Sequence, residues 1–417
     1  MRSLYDVFTE KTNRRGLMKN KKAILVIALV VAIGFVCLQA SHASAKDTMT
    51  VGFSMSLTGI YAAGAAGQMQ AYQLWEETVN NQGGIYVKEY GKKLPVKLVY
   101  YDDKSEADTA VRVYEKLVTE DKVDVVLSPY GTSIHFAVAP IAEKYKVPII
   151  GSTAASVKLR DIKTEYFWFI TACVGDRQMQ ALVDLLKNLK VKDIAIIYAQ
   201  ELFPRENLQY LDPYVEEAGF NVVLRKDYPM GAKDLTTLLS EIKTKDPEAL
   251  IALCYPAGAF TITTQAQEVG LNPRFLFELV GPAVVVFGPK FGAATEGIAT
   301  MGHWSPKGKW PGAQQFHDRY VAKFNKKPDY LNSALAYTAC QILEQTVEAV
   351  GSFDWQKMRD HIVATEFQTI NGPIAFSGSE NVRTPAMILQ WQKGELEIIW
   401  PKTTATAKPL YPKPVWP

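Results

Sequence analysis

Cysteine and histidine are both scarce, four and five in 417 residues. None of the cysteines forms a Cys-x-x-Cys pair. His42, His135, His303, His317 and His361 show no His-Glu-x-x-His or other paired spacing. Metal sites and disulfide scaffolds therefore lack their residues. A phosphate-cradling G-x-x-x-x-G-K-[ST] loop and a G-x-S-x-G nucleophile elbow are missing too, which removes the P-loop and serine-hydrolase readings. Paired acids such as Asp102-Asp103 and Glu76-Glu77 occur, and solvated strand and helix ends account for them. Only one long apolar run exists, so the chain is not a polytopic membrane protein. What is present is ordinary. Hydrophobic residues make up 48% and charged residues 21%, which excludes disordered and collagen-like classes, and the length suggests two domains.

The net charge of +3 is unevenly placed. Seven basic against two acidic side chains give residues 1–45 a net +5, leaving −2 on the other 372. A nearly neutral body argues against nucleic-acid binding. Lys19-Asn20-Lys21-Lys22 precedes an apolar run from Ala23 to Leu38, and Ala43-Ser44-Ala45 follows. This is the pattern of an export signal, with cleavage expected after Ala45 and translation starting at Met1 or Met18. The competing reading is an uncleaved anchor, for which the run is short. Cys37 stands behind Gly34-Phe35-Val36, a poor lipobox. Export implies an oxidising compartment, yet Cys173, Cys254 and Cys340 are odd in number and widely spaced. They read as small buried hydrophobes, with at most one disulfide among them.

From Met49 onward short apolar runs alternate with amphipathic ones. Strands are expected at Met49–Ser54, Val96–Tyr101, Val123–Leu127 and Val147–Ile150, with helices at Gly67–Asn81, Asp108–Glu120 and Ile134–Tyr145. After a break near Phe169 to Asp176 the rhythm resumes. Strands are expected at Asp193–Tyr198, Asn221–Asp227, Ala249–Leu253 and Arg274–Phe277, and helices at Asn207–Ala218, Asp234–Thr244 and Ala259–Val269. This is the signature of an α/β fold with two doubly wound, Rossmann-like units. Helices over Gln314–Asn325, Ser333–Val350 and Asp354–Thr365 have no sheet of their own and are expected to return to the first unit. The expected division is 48–171 with 303–376 as one lobe, 174–300 with 380–400 as the other, and 401–417 as an extended tail. The chain would cross between lobes near Phe169 to Asp176, Thr300 to Trp304 and Ser377 to Val382.

Three loops follow strands of the first unit, at the sheet edge where open α/β sheets hold ligands. Leu57 to Gly67 is glycine-rich and reads as a ligand-contacting loop containing Tyr61. Its spacing does not fit a dinucleotide fingerprint. Ser128-Pro129-Tyr130-Gly131-Thr132-Ser133 runs into a helix, with Thr132 or Ser133 at the N-cap. Free N–H groups and hydroxyls there suit an anion, although capping alone also explains them. Gly151-Ser152-Thr153-Ala154-Ala155-Ser156 is again small and hydroxyl-rich. Together the last two loops could hold a carboxylate without an arginine.

These residues resemble a known family. Leu57-Thr58-Gly59-Ile60-Tyr61-Ala62, Val79-Asn80-Asn81-Gln82-Gly83-Gly84-Ile85, Tyr101-Asp102-Asp103 and Ile141 to Ile150 look like the branched-chain amino-acid-type periplasmic binding proteins. Ile194 to Tyr198, Gln265 to Leu271 and Gly372 to Phe376 match downstream, so the likeness spans Met49 to Trp400. The resemblance implies a type I periplasmic binding protein fold of two lobes joined by a three-strand hinge. It implies an exported, monomeric solute receptor of an ABC importer that closes on a small carboxylate, partners membrane permease subunits and needs no cofactor. A ligand sensor of the same fold is the alternative. An exported α/β enzyme is a third class, without a nucleophile or metal motif to support it. By the same resemblance Thr132 or Ser133, with Ala154 and Ala155, would hold the carboxylate, Tyr130 and Thr153 lying beside them. Phe203 and Tyr255 would supply aromatic walls, with Tyr61 as a third.

Relatives that bind amino acids place an acid against the ammonium group. The matching position here falls on Leu279, with Glu278 beside it, and Phe203 stands where a tyrosine is usual. An α-amino acid and a non-amino carboxylate therefore both remain open. The preferred expectation is that Glu278 does not reach the ligand.

Overall fold

The computed structural model describes residues 46–171, 175–284 and 286–417. The expected export signal, Cys37 and Cys173 lie outside them. Among the described residues no helix is long and apolar enough to cross a membrane. Residues 48–417 form one unit, whose architecture follows.

The first run is β1 (Met49–Met55), α1 (Ala62–Asn81), β2 (Ile85–Val87), β3 (Lys92–Leu94), β4 (Val96–Asp102), α2 (Ala107–Thr119), β5 (Val125–Val126), α3 (Thr132–Tyr145), β6 (Ile149–Gly151) and β7 (Phe167–Phe169). The second is α4 (Gly175–Asn188), β8 (Asp193–Ala199), α5 (Leu202–Glu217), β9 (Asn221–Tyr228), α6 (Thr236–Lys245), β10 (Ala249–Leu253), α7 (Pro256–Val269), β11 (Phe275–Glu278), α8 (Phe287–Phe291) and β12 (Ile298–Gly302). Then come α9 (Ala313–Phe324), α10 (Asn332–Val350) and α11 (Trp355–Ala364). Short strands β13 (Phe367–Thr369), β14 (Gly372–Ile374), β15 (Phe376–Ser377) and β16 (Glu380–Asn381) precede β17 (Met387–Gln392) and β18 (Glu395–Trp400).

Strand order positions the site. The first sheet runs β4-β1-β5, all parallel, so successive connections leave in opposite directions on either side of β1. The large sheet runs β18-β17-β12-β11-β10-β8-β9 and is parallel from β12 to β9, with the same reversal between β8 and β10. Each reversal opens a crevice at the carboxyl ends of its strands. Both faces of the large sheet are covered: Ile194 and Ile196 of β8 are buried on one, Ala195 and Ile197 on the other. That two-sided burial explains why these strands read as continuous apolar runs.

Helix α10 packs on α1 and α11 on α10. Ser333 Oγ donates to Gly67 O at 3.0 Å, and Tyr320 Oη to Gln70 Oε1 at 2.6 Å. The close approach needs glycine. A Cβ on Gly67 would come 1.7 Å from Asp329 Oδ2, and one on Gly64 would come 2.0 Å from Tyr130 Oη. The glycine-rich stretch is thus not a loop as far as Gly67. It is helical from Ala62, and its glycines serve packing.

Other expectations are corrected as well. Helix α5 starts at Leu202, not Asn207, and α7 at Pro256, because Pro204 and Pro256 fall in first turns where no N–H is needed. The break after Phe169 is followed directly by α4, and Ile298–Gly302, near an expected crossing, is a strand of the large sheet paired with β17. Residues 401–417 contain no helix or strand but are fastened down. Lys413 N–H donates to Arg274 O and Trp416 Nε1 to Leu271 O, both at 2.7 Å, while Gln390 Nε2 donates to Leu410 O at 3.0 Å. Lys413 Nζ reaches Asn272 Oδ1 at 2.7 Å, and burial lowers its ammonium pKa to about 8. Cys254 and Cys340 are free and buried.

Candidate functional site

The loop after β1 is fixed by the two acids that end β4. Asp103 is buried, not solvated. It accepts from Ser54 Oγ at 2.8 Å and Ser56 Oγ at 2.6 Å, and Asp102 accepts from Thr58 Oγ1 at 2.6 Å. Ser105 Oγ accepts Tyr61 N–H at 3.1 Å and donates to Thr58 O at 2.7 Å. Tyr61 is thereby aimed inward.

The two hydroxyl-rich loops are bonded to each other. Ser128 Oγ and Ser152 Oγ lie 3.0 Å apart, Gly131 N–H donates to Thr153 Oγ1 at 3.1 Å, and Ala155 N–H to Thr132 Oγ1 at 3.3 Å. Gln68 Nε2 holds Ser128 O and Pro129 O at 3.0 and 2.9 Å. The N-cap of α3 is neither Thr132 nor Ser133 but Gly131, whose φ of +90° suits a residue without a Cβ. Thr132 and Ser133 instead occupy the first helical turn, where backbone N–H groups have no intrahelical acceptor. A hydroxyl that accepts can also donate, so Thr132 keeps that capacity.

Across from these loops, Glu201 follows β8 and caps α5. Its Oε2 accepts Phe203 N–H at 2.9 Å, while Oε1 accepts Ser133 Oγ in a close hydrogen bond and Tyr61 Oη at 3.4 Å. Burial, with Glu201 beside it, holds the Tyr61 phenol above its ordinary value. Tyr255 follows β10 and packs its ring on Tyr61 at 5.2 Å and on Phe203 at 5.6 Å.

Between these elements lies a cavity with about 350 Å³ of empty space. Tyr130, Gly131, Thr132, Thr153, Ala155 and Thr171 line it on one side, and Phe203, Tyr255, Val280 and Met301 on the other. Leu331, Asn332 and Leu335, around the start of α10, complete it. The wall carries no charged side chain. Of the residues singled out in the sequence, Tyr130, Thr132, Thr153, Ala155, Phe203 and Tyr255 come together on this wall. Tyr61 stacks behind Tyr255, Ser133 is turned to Glu201, and Ala154 is buried off the wall.

Glu278 does not line the cavity. In β11, Phe275 and Phe277 belong to one face of the sheet, and Leu276 and Glu278 to the other, because side chains alternate. Glu278 is fully buried under α7, with its oxygens 2.9 and 3.1 Å from Thr263 Oγ1. Burial raises its pKa to about 8, outweighing the Thr263 hydrogen bond, so at neutral pH it is mostly protonated. Sequence reasoning missed Glu201, Thr171, Val280, Met301 and the Leu331–Leu335 segment. Only the capping run Asp329 to Ser333 carried a local signal, and that signal marks a helix start, not a cavity wall.

Among the described residues no cluster could hold a metal ion. Residues 48–395 match the family model described as periplasmic binding protein. The Leu/Ile/Val-binding protein homolog 7 of Brucella abortus (strain 2308) is 20% identical over 402 residues, covering 92% of this chain and 99% of the relative. The branched-chain amino acid transporter substrate binding protein of Streptococcus pneumoniae, solved with isoleucine, superposes with a TM-score of 0.76 at 22% identity, over 85% of this chain and 100% of that one. An ABC transporter solute binding protein of R. palustris, solved with benzoate, gives a TM-score of 0.74 at 19% identity, over 87% and 98%. At these identities the solved structures speak for the fold alone.

Proposed function

This chain belongs to the periplasmic binding protein family, branched-chain amino-acid type, and from that premise we propose that it is the extracytoplasmic receptor of an ABC importer for a small non-amino carboxylate. Family members bind solutes and are not enzymes. In the proposed reading residues 1–45 are an export signal cleaved after Ala45, delivering the protein to the periplasm. Residues 48–171 with 303–376 and residues 174–300 with 380–400 act as the two lobes that close on the ligand and dock on permease subunits.

The observation that carries the ligand class is a wall of hydroxyls, backbone N–H groups and aromatic rings with no ionised side chain. The N–H groups in the first turn of α3 and the Thr132 hydroxyl suit a carboxylate. Phe203 and Tyr255 suit a flat or branched apolar body. A buried ammonium would lack a counter-charge. Glu278 faces away, and both oxygens of Glu201 already accept hydrogen bonds.

A thermal-shift panel tests this reading with matched pairs: leucine against 4-methylpentanoate, phenylalanine against 3-phenylpropanoate, and benzoate alone. A ligand at about 100 times its Kd adds roughly 2.7 kcal/mol of stability, well within detection. The des-amino acids or benzoate should raise the melting temperature. A shift by leucine or phenylalanine with none from their partners would reject the non-amino assignment and point to Glu201 as the ammonium partner.

A further inference from the structure

Two residues of the cavity wall, Tyr255 and Asn332, each carry a buried side-chain polar atom with no hydrogen-bond partner, Oη and Nδ2. Tyr255 belongs to the aromatic wall already described. Asn332 has no place in that account. It is 2% exposed and opens α10, and its neighbours on the wall, Val280, Met301, Leu331 and Leu335, are all apolar.

Its position is not loose. The buried Asp329 accepts Leu331 N–H at 3.1 Å and Ser333 N–H and Oγ at 2.8 Å each, and Ser333 Oγ is also tied to Gly67 O. The backbone on both sides of Asn332 is thereby pinned to α1. Burial raises the Asp329 pKa to about 6, against the hydrogen bonds that favour its charged form. Nothing similar satisfies Asn332 Nδ2, and an unpaired buried donor is unfavourable unless something else completes it.

Resting on the carboxylate reading above, we infer that Asn332 is a specificity-determining residue: its amide donates to an uncharged oxygen on the ligand body, separate from the carboxylate. The ligand class is then a hydroxylated or otherwise oxygen-substituted carboxylic acid, and the plain hydrocarbon acid is the disfavoured analogue. An amide is the right group for this task, since it can pair with a hydroxyl or carbonyl without bringing a charge that would repel or neutralise the carboxylate.

The experiment is calorimetric titration of the mature protein with two pairs, benzoate against 4-hydroxybenzoate and phenylacetate against 4-hydroxyphenylacetate, repeated with Asn332→Leu. In the native protein the hydroxylated member of at least one pair should bind about tenfold tighter. Asn332→Leu should shrink that gap to about twofold by weakening only the hydroxylated acid, and should leave the ligand-free melting temperature equal or higher, because an orphan donor is removed. Equal affinities within both pairs in the native protein overturn the inference while leaving the carboxylate reading standing. So does a gap that survives Asn332→Leu. An equal loss for both members of a pair would mean that Asn332 holds the carboxylate itself, which also overturns it. If none of the four acids binds, the inference falls, and the carboxylate reading falls with it only if 4-methylpentanoate and 3-phenylpropanoate also give no thermal shift. Should Asn332→Leu not fold, Asn332→Ala carries the same expectation for the affinity gap.

Discussion

The two sides of the cavity are built on opposite plans. On the side of β1, β5 and β6, the polar side chains are cross-bonded before any ligand arrives: Ser128 to Ser152, Thr153 to Gly131, Ala155 to Thr132. On the side of β8 and β10, rings lean on rings, Tyr255 on Phe203 and on Tyr61. Hydrogen bonds fix directions to a few tenths of an ångström, whereas ring packing fixes only volume and tolerates sliding. One side therefore fixes where a charge sits, and the other decides what shape may accompany it. A related contrast separates two glutamates of the large-sheet half. Glu201 is shared with Ser133 and Tyr61 at the cleft, while Glu278 is sealed beneath α7.

If the ring side supplies the body contact, Tyr255→Ala should be the most damaging change, opening a void beside Phe203 and lowering affinity about a hundredfold. That corresponds to roughly 2.7 kcal/mol, near the low end for aromatic truncations. A loss under tenfold, measured by calorimetry, would break the comparison. Next comes the polar side. Thr132→Ala removes one charge-assisted hydrogen bond, about 1.5–3 kcal/mol, so affinity should fall at least tenfold. Ser133→Ala should cost less than about fivefold, because its hydroxyl serves Glu201. Equal losses at the two positions would show that Ser133 turns to the ligand in the bound state.

The smallest effect on binding belongs to Glu278→Gln, expected to leave affinity unchanged and to alter stability instead. The folded carboxyl titrates near 8 against an ordinary value of 4.5. Between those values the folded state keeps a proton that the unfolded state has lost. Stability contributed by the protonated group is full below pH 4.5 and is lost as pH rises toward 8, by at most about 1.4 kcal/mol per pH unit. Chemical denaturation of Glu278→Gln at pH 5 and pH 8 should show a smaller drop than the native protein.

The alternation of strands and helices was legible because burial on both sheet faces enforces apolar runs and single-face burial enforces amphipathic ones. Even α4, where no element was expected beyond the break ending at Asp176, carried the spacing: Met179, Leu182, Val183 and Leu186 are buried at intervals of three and four. The hydroxyl loops were legible for a similar reason, since small polar residues directly after a strand have few other uses. Three things were not. Gly64 and Gly67 could mean a mobile loop or a close helix contact, and only the partners Tyr130 and Asp329, far along the chain, decide between them. The facing of Glu278 turns on a one-residue phase in a four-residue strand. Asn332 and Glu201 gain their places from packing between segments far apart in the chain, 68 residues from Ser133 to Glu201 and 266 from Gly67 to Ser333, which no local pattern records.

The fastening of residues 401–417 has a practical use in optical sensing. Lys413 and Trp416 tie that segment to the strand-entry edge of the large sheet, yet Val415 between them is 79% exposed. Ile60, in the loop after β1, is 47% exposed on the other half of the cleft. Cys254 and Cys340 are buried and slow to react with labels, and Cys173, outside the described residues, would be replaced first. Dyes placed on Val415→Cys and Ile60→Cys would ride on different sides of the cleft. If the two proposed lobes close on ligand, the change in energy transfer between the dyes would report that closure as a colour ratio, read in a plate and without knowing the ligand in advance.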